Sequence, residues 1–149
     1  MVSLSQQHLA LLMEAGYIYL GMQRYQEASE VFEGVHALKQ ESEIPLVALA
    51  GVSFCQGKLK EAKKIYEQAL KLNPDSLYGK AYLAESLFFD GQKDQAIELL
   101  KEVDRAEPQG PVGDFARSLL DAIENGFTPE KLSQSKELKS YYDKQKKKN

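Results

Sequence analysis

A repeat of 34 residues is the feature of this sequence that most constrains its fold. Ala28, Ala62 and Ala96 each end a short related phrase, and they are evenly spaced, since 62 − 28 = 34 and 96 − 62 = 34. A large apolar residue follows each alanine by four positions and a small residue precedes it by twelve. The large residues are Phe32, Tyr66 and Leu100, and the small ones are Gly16, Ala50 and Ala84. Such a period indicates one supersecondary unit stacked three times.

The repeated positions have a physical reason if each unit is a pair of antiparallel helices. Alanine or glycine lets two helix axes approach closely, and a large residue one turn along the same face fills the space beside the crossing. Gly57 and Gly91 stand where the first helix of a unit must end, because glycine tolerates the positive φ of such a turn. The first unit has Gln23 at the matching position and Gly21 two places earlier. We therefore expect its turn to differ slightly.

This pattern resembles the tetratricopeptide-repeat (TPR) family, which implies an all-α fold, a right-handed superhelical solenoid. The repeat region is 1–110, with units predicted over 9–42, 43–76 and 77–110. An amphipathic pattern over 111–126 predicts a C-terminal capping helix, because a solenoid otherwise leaves one apolar face of its last unit uncovered. The polar, lysine-rich segment 127–149 has few apolar anchors and is predicted to be a marginal helix or disordered.

The composition excludes several other classes of protein. Hydrophobic residues make up 43% of the 149 residues and charged residues 28%, which is typical of a soluble globular chain. A net charge of −3 disfavours binding to nucleic acid. The longest nearly apolar run, 44–55, is shorter than the roughly 20 residues of a membrane span. The first residues lack the basic and apolar regions of a secretory signal, so we expect a cytoplasmic protein.

The sequence contains no recognisable catalytic or metal-binding arrangement. His8 and His36 are the only histidines and Cys55 is the only cysteine, and none of them stands in a motif with a partner base. No glycine-rich phosphate loop and no metal-ligand spacing occurs. We therefore predict that the chain is not an enzyme and uses no cofactor and no metal ion.

In TPR proteins the second, fifth, ninth, twelfth and thirteenth residues of each unit line a concave groove. The resemblance carries these positions onto Ala10, Met13, Tyr17, Leu20, Gly21, Ile44, Val47, Gly51, Phe54, Cys55, Tyr78, Ala81, Glu85, Phe88 and Phe89. All except Ala10, Gly21 and Ile44 are our candidate binding residues. Only Glu85 is charged, so an apolar partner is favoured, and the basic clamp that some TPR domains use for acidic chaperone tails is absent. Leu20, Val47 and Ala81 are the strongest candidates for burial between helices instead.

Three such units in a small acidic chain resemble the TPR chaperones of bacterial type III secretion. The phrases over 25–32 and 84–91 and the segment 116–120 are most similar to the branch that guards the needle subunit. That resemblance implies a groove that holds an amphipathic apolar helix of this client and keeps it unpolymerised, with a small co-chaperone. A translocator chaperone and a general TPR scaffold are the alternatives, and a homodimer is left open. Phe54→Glu or Phe88→Glu should abolish capture without loss of helicity.

Overall fold

The protein folds as a stack of antiparallel helix pairs, seen in a computed structural model that describes residues 5–131. Seven α-helices in this range are longer than a single turn: α1 (Gln6–Gly21), α2 (Tyr25–Leu38), α3 (Ile44–Cys55), α4 (Leu59–Leu72), α5 (Leu77–Phe89), α6 (Lys93–Ala106) and α7 (Pro111–Glu124). Helices α1 to α6 form three successive pairs, and α7 packs against α6 and α5. The predicted all-α repeat solenoid with a capping helix is confirmed.

The turn inside each helix pair is the same in all three units. Gln23, Gly57 and Gly91 have φ of 60°, 78° and 83°. The next amide donates a hydrogen bond back across each turn: Arg24 N to Tyr19 O at 2.9 Å, Lys58 N to Ser53 O at 2.9 Å, and Gln92 N to Leu87 O at 2.8 Å. The expectation of a different first turn is therefore wrong. These bonds satisfy carbonyl groups at the end of the first helix of each unit. They form even in the first unit, where Gln23, a residue with a side chain, adopts a positive φ.

Gln23→Gly should stabilise the protein by about 1 kcal/mol, because a side chain in the left-handed region costs about 1–2 kcal/mol that glycine avoids. The converse substitution, Gly57→Gln, is the matched control and should destabilise the protein by a similar amount. Urea unfolding followed by circular dichroism measures both changes. Equal stability of the wild type and Gln23→Gly would show that the first turn carries no strain.

The helices of each pair cross at the small residues of the repeat. Ala28, Ala62 and Ala96 are fully buried, and the large residue one turn after each alanine is buried beside it. The first crossing leaves no room for a side chain, since a Cβ added at Gly16 would overlap three carbon atoms of the Phe32 ring. A larger residue at this point would push α1 away from α2.

Polar contacts hold α7 on the last helix pair, in addition to its buried apolar face. The apolar residues that it buries in the core are Val112, Ala116 and Ile123. The Arg117 guanidinium pairs with the Asp104 carboxylate of α6 at 2.8 Å and with Asp114 of its own helix. The Glu107 carboxylate accepts a hydrogen bond from Gly113 N at 2.8 Å, which satisfies one free amide of the first turn. The capping helix therefore has a defined position.

The two ends of the array are the start of α1 and the end of α7. α1 begins ahead of the first predicted unit, and the Ser5 hydroxyl caps it by accepting a hydrogen bond from His8 N at 3.2 Å. α7 ends in the same turn as α1, α3 and α5: Gly126 has φ of 86°, and Phe127 N donates to Ala122 O at 2.9 Å. Most of the predicted tail lies outside the described residues.

Candidate functional site

The first helices of the three pairs line a groove on one side of the array. Its central hollow has a volume of about 580 Å³ and lies among α1, α3 and α5. This hollow is lined by Tyr17, Leu20, Glu43, Ile44, Val47, Ala48, Gly51, Phe54, Cys55, Ser76, Tyr78, Tyr82 and Glu85. Apolar and aromatic side chains dominate the lining, so the hollow suits an apolar partner.

A terminal hollow continues the groove toward the turns that end the first helices. Its volume is about 650 Å³. It is lined by Leu20, Gly21, Gln23, Tyr25, Phe54, Cys55, Gly57, Leu59, Glu85, Phe89 and Pro129. Leu20, Phe54, Cys55 and Glu85 line both hollows, so the two hollows form one groove.

Nine of the twelve candidate residues line this groove. They are Tyr17, Leu20, Val47, Gly51, Phe54, Cys55, Tyr78, Glu85 and Phe89. Met13 lines neither hollow and packs instead against the buried cluster around Phe32. Ala81 and Phe88 also line neither hollow, and they are 0% and 2% exposed. The expectation that Ala81 and Phe88 face the groove is corrected, because their side chains are buried between helices. Met13 is partly buried and lies outside both hollows.

The groove also contains residues that the repeat positions do not include. The Tyr82 ring stacks on Tyr78, with centroids 6.3 Å apart, and lies tilted against Phe115 of α7 at 5.2 Å. A stripe of side chains at positions 78, 82, 85 and 89, spaced by three or four residues along α5, is the sequence signal that indicates Tyr82. Glu43 stands at the rim before α3, where its carboxylate accepts a hydrogen bond from the Asn73 amide at 3.1 Å. No comparable sequence signal marks Glu43.

Aromatic contacts hold the side chains of the groove in place. Phe54 of α3 meets Phe89 of α5 edge to face at a centroid distance of 5.6 Å, and Phe89 in turn contacts Phe127 at 6.5 Å. Tyr17 lies edge-on to Phe32 at 5.1 Å. Each such pair contributes about 0.5–1.5 kcal/mol beyond its buried area. The groove is therefore largely pre-formed, which lowers the conformational cost of binding.

Glu85 is the charged residue that lines both hollows within the described part of the chain. Burial raises the pKa of its carboxyl to about 7. Burial, and then the charge of Glu85, raise the pKa of Tyr66 and of Tyr82. None of the ion pairs formed within residues 5–131 includes Glu85. Within this part of the chain, the Glu85 carboxyl group thus lies in an apolar groove without an ion-pair partner.

Glu85→Gln should stabilise the protein near pH 8 and have little effect near pH 5. The carboxyl binds its proton more tightly in the folded state, so stability falls as the pH rises from the ordinary value of 4.5 through about 7. At about 1.4 kcal/mol per pKa unit, discounted for partial exposure, the gain near pH 8 is about 2 kcal/mol. Thermal unfolding measures it, with Glu67→Gln on the exposed side of α4 as the control. The same stability difference at both pH values would contradict this prediction.

A second apolar surface lies on the outer side of α1. Leu11, Ile18 and Met22 are each more than half exposed. They follow one another by seven and four residues, a spacing that places them along one side of a helix. We call this surface the outer stripe of α1. Exposed apolar surface of this kind indicates contact with another molecule. The repeat positions that predict the groove do not include these residues.

Metal-binding and membrane-spanning features are absent from the part of the chain that the structure describes. No group of three histidine, cysteine, aspartate or glutamate side chains within residues 5–131 could hold a metal ion. None of the helices described above is long and apolar enough to cross a membrane. Cys55 is exposed and lines the groove.

Comparison with known proteins identifies the family. Two tetratricopeptide-repeat family models match the chain, over residues 9–40 and over residues 54–123. Together they cover more than half of the sequence, and the chain belongs to the tetratricopeptide-repeat family. Intraflagellar transport protein 70A2 of Rattus norvegicus is 27% identical over 115 residues, which make up 73% of this chain and 17% of that relative. The chain therefore spans only a small part of the length of this relative.

Several solved structures with the same fold are chaperones of type III secretion. The translocator chaperone SycD of Yersinia enterocolitica matches with a TM-score of 0.69 and 18% identity, over 79% of this chain and 91% of its own. PcrH of Pseudomonas aeruginosa matches with a TM-score of 0.68 and 17% identity, over 82% of this chain and 96% of its own. SycD has also been solved with a peptide of the translocator YopD, and PcrH with the chaperone-binding region of PopD. At these identities the likeness shows a shared fold.

Proposed function

We propose that this protein is a cytoplasmic chaperone that binds an apolar segment of a client polypeptide in its groove. The observation that carries the proposal is the apolar and aromatic lining shared by the two hollows. A secreted client that tends to self-associate would stay unassembled while the groove covers its apolar surface. Binding, without a chemical step, is the whole of the proposed activity.

The groove provides enough interaction energy for tight binding of such a segment. Four or five anchor side chains would contribute about 1.5–3 kcal/mol each, from which the costs of association and ordering are subtracted. An acidic peptide would bind less well, because no lysine or arginine of residues 5–131 lines either hollow and Glu85 would repel it. The groove therefore favours an amphipathic helix or an extended apolar segment over an acidic tail.

Two kinds of client are compatible with this proposal. SycD, which shares the fold, is described with a peptide of the translocator YopD, and PcrH with the chaperone-binding regions of PopD and PopB. This observation supports a translocator client. A needle subunit, together with a small co-chaperone, is the second candidate, and the phrases over 25–32 and 84–91 favour it. None of the structures named above is a needle-subunit chaperone.

Co-expression with secreted proteins encoded beside the chain tests the proposal and separates the two clients. We expect one of them to copurify with the chain as a soluble complex and to aggregate or polymerise when it is expressed alone. A hydrophobic translocator in the complex would support the first candidate, and a small self-polymerising subunit the second. The proposal would be contradicted if every co-expressed secreted protein had the same solubility and assembly state with and without the chain.

The outer stripe of α1 favours a second protein contact, made with a co-chaperone or with a second copy of the chain. SycD, which shares the fold, is described in an alternative dimer. A scaffold within a larger assembly would also use an exposed apolar surface of this kind. Ile18→Asp should remove this contact, detected by sedimentation, and leave groove binding unchanged. If the chain is a scaffold that does not use its groove, groove variants will instead bind their partner normally.

A further inference from the structure

Glu85 has a position in the groove that makes a purely apolar client costly to bind. Its side chain belongs, with Phe54, to the lining of both hollows, so a segment that fills the groove covers it. A covered carboxylate without a partner costs free energy or must take up a proton. The groove therefore selects its occupant by more than apolar surface.

No lysine or arginine within residues 5–131 lines the groove beside Glu85. The titratable side chains in electrostatic contact with Glu85 or with its tyrosine neighbours are Tyr17 of α1, Cys55 of α3, Tyr66 of α4, and Tyr78 and Tyr82 of α5. Glu43 also lines the central hollow, and its carboxylate is already hydrogen-bonded to the Asn73 amide. Among the described residues the groove is thus acidic, and Tyr17, Tyr78 and Tyr82 line the central hollow together with Glu85.

A lysine or arginine side chain of a partner matches this arrangement better than other groups do. Its cation would pair with the Glu85 carboxylate, and its alkyl stem would lie along the apolar lining. The tyrosine rings would add cation–π attraction. An amide or hydroxyl group would leave the negative charge in place, and an acidic side chain would be repelled.

We propose that the client segment is an apolar stretch that carries one lysine or arginine, and that Glu85 binds this cation within the groove. The inference rests on the proposed groove function and adds the chemistry by which the groove distinguishes its client from other apolar segments. Glu85 then determines specificity, and the aromatic lining provides most of the affinity.

A random peptide library displayed on phage, panned near pH 8 on the immobilised full chain, provides the probe. The same library is panned on Glu85→Gln and on Phe54→Glu, after circular dichroism has shown that both variants keep their helicity. We expect the wild type to enrich apolar peptides with one basic residue. Glu85→Gln should enrich apolar peptides without that requirement, and Phe54→Glu should enrich neither class.

Titration of one selected peptide in solution then tests the pairing directly. Replacement of its basic residue by norleucine should weaken binding to the wild type by about tenfold or more, and to Glu85→Gln by less than about twofold. The affinity of the wild type for the basic peptide should also fall between about pH 8 and about pH 6, as the carboxyl takes up a proton, whereas that of Glu85→Gln should not.

Three results would overturn the inference in different ways. In the first, peptides with and without a basic residue bind the wild type equally tightly. This result would overturn the inference about Glu85 and leave the groove function intact. Binding that is equally strong to Phe54→Glu would overturn the groove function too. The third result is that no foreign peptide binds. If a synthetic peptide of residues 132–149 then binds in trans, the occupant is the chain's own tail. If Phe54→Glu instead loses a self-association of the wild type, the occupant is a second copy of the chain.

Discussion

Binding of the client segment should weaken by about a hundredfold or more in the Phe54→Glu variant. Phe54 lines both hollows and packs edge to face against Phe89. The substitution removes an aromatic anchor and adds a carboxylate to the lining that contains Glu85, so a bound segment would cover two like charges. Fluorescence anisotropy with a labelled client segment measures the change.

Leu72→Glu is the matched control for this experiment. Leu72 is exposed at the end of α4 and lines neither hollow, so the same change of chemistry there should leave affinity within about twofold of the wild type. Phe88→Glu, which the sequence suggests as an equivalent test, is unsuitable because Phe88 is buried and stacks on Phe127 at 5.8 Å. Equal affinities of Phe54→Glu and Leu72→Glu would contradict the assignment of the groove.

Phe32→Ala should lower the free energy of unfolding by about 3–5 kcal/mol. The Phe32 ring is fully buried, fills the space left by Gly16 and contacts the edge of Tyr17. Its removal leaves a cavity that closely packed helices close only in part. Urea unfolding followed by circular dichroism provides the value.

Leu38→Ala serves as the control for Phe32→Ala, because Leu38 is exposed on the same helix. It should cost less than about 1 kcal/mol. Phe32 belongs to a small buried cluster shared by α2 and α3, so amide hydrogen exchange should accelerate more in the first unit than in the third. A loss of stability no larger than that of Leu38→Ala would contradict this account of the first crossing.

The helix pairs can be predicted from the sequence because the repeat specifies their contacts directly. A 34-residue period, with alanine at each crossing and a large residue one turn later, accounts for the order of α1 to α6. The first turn could not be predicted in the same way. Comparison of residue types indicates a difference at Gln23, whereas hydrogen bonds such as Arg24 N to Tyr19 O impose the same conformation on all three turns.

The sequence predicts the groove better at α3 than at α5. The fifth and twelfth positions of the second unit, Val47 and Phe54, both line the central hollow. The same positions of the third unit, Ala81 and Phe88, line neither hollow and are 0% and 2% exposed, and Phe127 stacks on Phe88. Val47 is also nearly buried, at 7% exposed. All four residues are apolar, so residue type does not distinguish them. Phe127, which follows α7 and lies outside the repeat positions, covers Phe88 and so limits the open side of α5.

Crosslinking from Cys55 tests the central claim, that a client occupies the groove, most directly. Cys55 is the only cysteine of the sequence, is exposed and lines both hollows. A benzophenone attached to its sulfur should crosslink to the apolar segment of the copurified client on irradiation. A Cys55→Ser, Glu67→Cys variant moves the label to an exposed position on α4 that lines neither hollow, and it should give no crosslink. Crosslinks from this second position and none from Cys55 would contradict the account, because the client would then bind outside the groove.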